Sequence, residues 1–118
     1  MNYTILNQYG ITFSKQSNGN IIINSNLRSL NPYLYMLTRQ KRMLEDLITT
    51  LNLSLEGNSI SPDDKEWSVE MGLQIYTGII QNNMTFDLFL EDHYDQTLES
   101  YPLLDIKEIL KSLLGFIN

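Results

Sequence analysis

Trp67-Ser68-Val69-Glu70-Met71-Gly72-Leu73-Gln74-Ile75 opens the longest stretch of the chain that keeps one period, and Met84-Thr85-Phe86-Asp87-Leu88-Phe89-Leu90-Glu91 closes it. Apolar residues alternate with polar ones or glycine in the first half, and Met84, Phe86, Leu88 and Leu90 alternate with Thr85, Asp87, Phe89 and Glu91 in the second. That period of two marks strands with a single buried face. A two-residue turn at Asn82-Asn83 pairs Ile79 with Phe86, Thr77 with Leu88 and Ile75 with Leu90, which puts the apolar sets of both strands on one face. A slip of one residue would undo that agreement. Asn tolerates the positive φ such a turn demands. The expectation is a β-hairpin over about 67–91, with helices packed on the face that carries Trp67, Val69 and Leu88.

Upstream, Tyr3–Asn7 reads as a short strand, and Tyr9, Ile11 and Phe13 alternate toward the loop Ser17-Asn18-Gly19. A three-residue loop with Gly19 in the left-handed position pairs Phe13 with Ile23, giving a first hairpin over about 9–27. Asn31-Pro32 is a helix start, with Asn31 as N-cap and Pro32 at the first helical position. Leu34, Leu37, Leu44, Leu47, Ile48 and Leu51 then keep a helical period, predicting one long helix over about 32–50. Leu51, Leu53 and Leu55 alternate with Asn52, Ser54 and Glu56, which predicts a short strand from about Asn52, with a helical alternative that extends to Leu55. Ser61-Pro62-Asp63-Asp64 predicts a single helical turn. Downstream, Leu103, Ile106, Ile109, Leu110, Leu113 and Ile117 share one helical face, so a C-terminal helix is expected over about 102–115, with Ser100 as a candidate cap. The sum is one α+β domain spanning 1–118, with a mostly antiparallel sheet.

At 118 residues, 42% of them hydrophobic, the chain is long enough for one sizeable core and too short for two. The absence of cysteine excludes disulfides, Cys-based zinc sites and a thiol nucleophile. Met1–Gly10 lacks the basic and apolar regions of a signal peptide, and no apolar run approaches the roughly 18 residues that span a bilayer, so a cytoplasmic protein is expected. The net charge of -6 is unevenly placed. Residues 1–42 contain Lys15, Arg28, Arg39, Lys41 and Arg42 and no acid (+5), whereas 43–118 contain all fourteen acids against Lys65, Lys107 and Lys111 (-11). Such asymmetry is either matched internally or polarises the surface toward a charged partner.

No nucleophile elbow, phosphate-binding loop or dinucleotide fingerprint is present. The basic cluster in the long helix has acids in reach at i+3 and i+4 and no interleaved aromatics, and the molecule as a whole repels phosphate, which argues against nucleic acid. The only histidine, His93, lies in Glu91-Asp92-His93-Tyr94-Asp95. A histidine beside carboxylates is the composition of a general base or an oxygen-rich cation site, but the spacing matches neither a helical His pair nor a calcium loop. No cofactor and no metal site are expected.

The second face of the central hairpin carries more information. In the register above, Tyr76 opposes Phe89 and Gly78 opposes Asp87, with Glu70 and Glu91 alongside and Asp92 and Asp95 just beyond. Either a helix covers that face or it is a recognition patch. Aromatic anchors ringed by carboxylates suit a basic protein, because the aromatics supply buried area and the carboxylates steer the encounter. The candidate partner-binding residues are therefore Glu70, Tyr76, Asp87, Phe89, Glu91, Asp92 and Asp95. The expected function is non-enzymatic: a small acidic protein that neutralises a basic partner, such as an immunity protein or inhibitor of a cationic nuclease toxin. A dimeric secretion-type chaperone and a small enzyme or ligand-binding domain built around His93 are the alternatives.

Overall fold

The computed structural model describes residues 1–118, and its first element departs from the expected strand. Asn2 accepts the Ile5 N–H on its side chain and starts a helix, α1 (Tyr3–Gln8), whose Ile5 and Leu6 are buried. The signal was an N-cap Asn followed by apolar residues at helical spacing. Gly10, at φ 66°, then turns the chain into a two-stranded antiparallel sheet of β1 (Thr12–Lys15) and β2 (Ile21–Asn24). Here Phe13 pairs with Ile23 across the loop closed by Gly19, as the sequence predicts, although the paired strands are shorter than 9–27.

The expected long helix is two helices, and the strand expected from about Asn52 is instead the last turn of the second, because Leu51 and Leu55 keep the helical spacing. α2 (Leu30–Leu37) ends where Arg39 and Gln40 donate to Met36 and Leu37, the tight i−3 bonds of a last turn, and Gln40 then leaves the helical region before α3 (Lys41–Leu55) begins. Residues 38–42 are all polar, so nothing apolar holds this segment in line with either helix. Ser29 rather than Asn31 precedes α2, and Pro32 still falls within the first turn, where its missing N–H is harmless. The free Leu30 N–H donates to the Glu99 carboxylate at 2.9 Å, an acid from a distant strand placed at a helix N-terminus.

After a 3₁₀ turn at Pro62–Asp64, β3 (Glu66–Met71), β4 (Gln74–Ile80), β5 (Thr85–Leu90) and β6 (Glu99–Pro102) form a four-stranded antiparallel meander in sequence order. β6 had no strand assigned from sequence. It leads directly into α4 (Leu103–Ile117), whose N-cap is Pro102 and not Ser100. The fold is α+β with two antiparallel sheets and four helices. One core joins them: Leu44, Leu47 and Leu51 of α3 and Ile106, Ile109 and Leu113 of α4 meet Val69, Ile80, Phe86 and Leu88 of the larger sheet. No helix is long and apolar enough to cross a membrane.

The central register differs from expectation by one residue. Gly72 and Leu73 make a two-residue turn with φ 63° at Gly72, so Met71 pairs with Gln74 and the alternation does not carry through. Across such a turn, odd-numbered residues of β3 share a face with even-numbered residues of β4. The β4–β5 loop holds three residues, Asn82, Asn83 and Met84, because Gln81 pairs with Thr85 (N···O 2.8 Å) and Met84 adopts φ 67°. Consequently Tyr76 faces Leu90 rather than Phe89, Thr77 faces Phe89, and Ile79 faces Asp87. Tyr76, Gly78 and Ile80 move to the core face. Ile75, Thr77 and Ile79 move to the other.

Three core-side tyrosines make the fold alkali-sensitive. Burial, then a hydrogen bond and the negative charge of Asp105, push the Tyr9 phenol up to about 12, and burial raises Tyr33 and Tyr101 further. These groups hold their protons in the folded chain above the ordinary value of 10, where the unfolded chain loses them. Their contribution to stability is therefore complete below pH 10 and is lost progressively above it, through about 12 for Tyr9 and beyond that for Tyr33 and Tyr101. Denaturant midpoints should be level from pH 7 to 9 and fall between pH 10 and 12, and Tyr33→Phe should flatten the fall. A midpoint unchanged at pH 12 would contradict this assignment.

Candidate functional site

The larger sheet has one face in the core and one outside it. Trp67, Val69, Tyr76, Ile80, Phe86, Leu88 and Tyr101 all pack into or against the core cluster, which takes none of Ile75, Thr77, Ile79 or Phe89. α2 packs on β3, and α4 on β5 and β6, from the core side: Tyr33 of α2 sets its ring edge-on to Phe86 at 6.0 Å and donates its hydroxyl to the Trp67 carbonyl. No helix lies over the second face.

Cross-strand pairing lays that face out in rows. Glu70, Ile75 and Glu91 form the first, since Glu70 pairs with Ile75 and the Glu91 N–H donates to the Ile75 carbonyl. Ser68, Thr77 and Phe89 form the second, and Glu66, Ile79, Asp87 and Ser100 the third. The central strand thus contributes Ile75, Thr77 and Ile79, and the strands on either side contribute four carboxylates. None of these residues is basic. Ser68 and Thr77 share a hydroxyl hydrogen bond of 2.8 Å, and Ser100 donates to Asp87, which orients that carboxylate. Phe89 is 4% exposed despite lying outside the core, because Tyr94 of the following loop covers it edge-on at 5.8 Å.

Of the residues singled out from sequence, Glu70, Asp87, Phe89 and Glu91 do come together on this face. Tyr76 does not: the one-residue shift sends it to the core side, half-buried, with its hydroxyl on Gln74. Asp92, at φ 66°, and Asp95 lie in the exposed loop that begins at the end of β5. Sequence reasoning missed Glu66, Ile75 and Ile79. The alternation of Ile75 and Ile79 was legible, but their side of the sheet depended on the turn at Gly72-Leu73; Glu66 shares the side of Glu70 and was missed because the expected strand began at Trp67.

The two halves of the charge distribution do not neutralise each other through contact. The one ion pair in the chain joins Lys111 to Glu108 within α4, at 3.9 Å. Arg39 instead lies over the Tyr35 ring at 5.4 Å and donates to its hydroxyl. The acids of the open face have no cation against them, so their field is directed to solvent.

His93 is exposed, in the turn after β5, and its main chain closes that turn through bonds to Leu90 and Gln96. A shallow cavity of about 300 Å³ borders it, lined by Leu73, Ile75, Glu91 and Asp92 among others. No group of three or more His, Asp or Glu side chains is placed to hold a metal ion. The His93 imidazole makes no hydrogen bond within the chain. No protein-family model matches the chain, and neither curated proteins nor solved structures gave a match.

Proposed function

We propose that this chain is a non-enzymatic, cytoplasmic binding protein whose open sheet face docks and neutralises a basic protein, in the manner of an immunity protein or inhibitor of a cationic nuclease toxin. The observation that carries the reading is a pair of part-exposed isoleucines, Ile75 and Ile79, bounded by Glu66, Glu70, Asp87 and Glu91, on a face that no helix covers. Apolar residues at the centre supply area that gains free energy on burial, about 25 cal/mol per Å². Carboxylates at the margin attract a cationic partner over a Debye length and repel acidic ones. Against a nuclease, the same carboxylates would occupy positions that phosphates take in the substrate.

Electrostatic steering has a measurable signature. The association rate of the protein's partner, captured from the cells that make this chain, should fall at least tenfold between about 0.05 and 0.5 M salt, while dissociation changes little. An association rate indifferent to salt would contradict the reading.

A further inference from the structure

β3 is an edge strand: β4 pairs with it on one side, and no strand lies on the other. The bond from the Ile80 N–H to the Lys65 carbonyl, 2.8 Å, sets the alternation of the ladder. Trp67, Val69 and Met71 turn their main-chain groups toward β4, whereas Glu66, Ser68 and Glu70 turn theirs away. Those outward N–H and C=O groups have no partner within the chain. Of the usual protections of an edge, β3 has no proline, no lysine and no bulge in its register, and keeps only its two glutamates.

What guards this edge is charge. A second copy adding antiparallel about Ser68 would set Glu66 of one chain opposite Glu70 of the other, twice over, and like charges directly opposite destabilise a pair. A strand carrying cations at alternate positions would reverse the sign of the same contacts. On its other side such a strand would meet the space beside Met71, a groove of about 410 Å³ lined by Ile21, Ile22 and Ile23 of β2 and by Pro32 and Tyr35 of α2. The edge therefore asks for charge on one face and apolar side chains on the other.

We propose that β3 is a strand-addition site: an extended segment of the basic partner, alternating cationic and apolar residues, pairs with Glu66, Ser68 and Glu70 and sets its apolar side chains along the groove beside Met71. The inference rests on the reading of the acidic face and adds to it the way the partner engages. Main-chain bonds supply affinity in this mode, and alternate side chains supply selectivity.

An end-blocked octapeptide of four Lys-Val repeats tests it, titrated into the full chain and read by the fluorescence of Trp67, the only tryptophan, on β3 itself. The peptide should bind. N-methylation of its lysine amides, which keeps every charge, should weaken binding at least tenfold, as should Ser68→Pro, which removes an outward N–H and no ladder bond. Glu66→Lys with Glu70→Lys should do the same, and a Glu-Val peptide should not bind. Binding that ignores N-methylation but falls with the acid substitutions would overturn strand addition while leaving the acidic-face reading standing. No binding of the Lys-Val peptide would also overturn it, whereas the acidic-face reading is judged separately, by the affinity of the folded partner for the chain with lysine at Glu70, Asp87 and Glu91. Because N-methylation is carried by the peptide, the result holds even if Ser68→Pro disturbs the fold.

Discussion

Replacing Gly78 with alanine should unfold most of the molecule's stability margin, at a cost of about 3 kcal/mol or more. Gly78 lies in the middle of β4 on the core face, and a Cβ built there overlaps the Phe86 ring at Cζ and Cε2. Phe86 cannot swing away freely, because its side chain is fully buried and its ring packs edge-on against Tyr33. Overpacking a filled core costs typically 1–3 kcal/mol, and displacing a wholly buried aromatic adds to it. For a domain of marginal stability, that is a large share. Phe86→Leu alone should also destabilise, but in the double variant the smaller side chain makes room for the new methyl. The loss in Gly78→Ala/Phe86→Leu should therefore be smaller than the sum of the two single losses by at least about 1 kcal/mol. Additive losses by chemical denaturation would mean that the glycine serves some purpose other than giving space to this ring.

That glycine also shows why the sequence could be read well in some places and not in others. Elements fixed by local chemistry were legible: the Gly19 loop and its Phe13–Ile23 pair, the turn at Pro62, and α4 from its apolar face. The central strands were recognisable as strands, yet their sides were not. Alternation from Val69 to Ile75 continues in the sequence straight through a turn, and Leu73, which looks like the next inward residue, is 106% exposed at its tip. Met84 in a left-handed conformation, costly for a non-glycine residue, gave no warning of a three-residue loop. Both events change parity, so Tyr76 was assigned to the open face and Ile75 and Ile79 to the core. β5 kept its expected sides, because Phe86 and Leu88 are core residues in either register. Hence the sides of Glu70, Asp87, Phe89 and Glu91 were legible, while those of Ile75 and Ile79 required the structure.

The second large effect concerns the open face itself. Glu70 and Glu91 flank Ile75 in one row, and Asp87 flanks Ile79 two rows away, roughly 13 Å along the strands. Lysine at these three positions would set cations against a cationic partner, and like-charge juxtaposition across an interface costs several kcal/mol. A loss of about 3 kcal/mol is already more than 100-fold in affinity. Folding should be little affected, since Glu70 and Glu91 are exposed and Asp87 contributes only its bond to Ser100. Glu45, Asp46 and Glu56, exposed on or just after α3, provide the matching control, because their replacement by lysine changes net charge by the same amount on another surface. The decisive measurement is the affinity of the captured partner, by calorimetry at about 0.15 M salt, for three chains: the native one, the Glu70→Lys/Asp87→Lys/Glu91→Lys variant, and the Glu45→Lys/Asp46→Lys/Glu56→Lys variant. A fall of 100-fold or more for the sheet-face variant, with the α3 variant within about tenfold of native, is the predicted result. Equal affinities for the native chain and the sheet-face variant, with the variant folded, would contradict the assignment of this face as the docking surface.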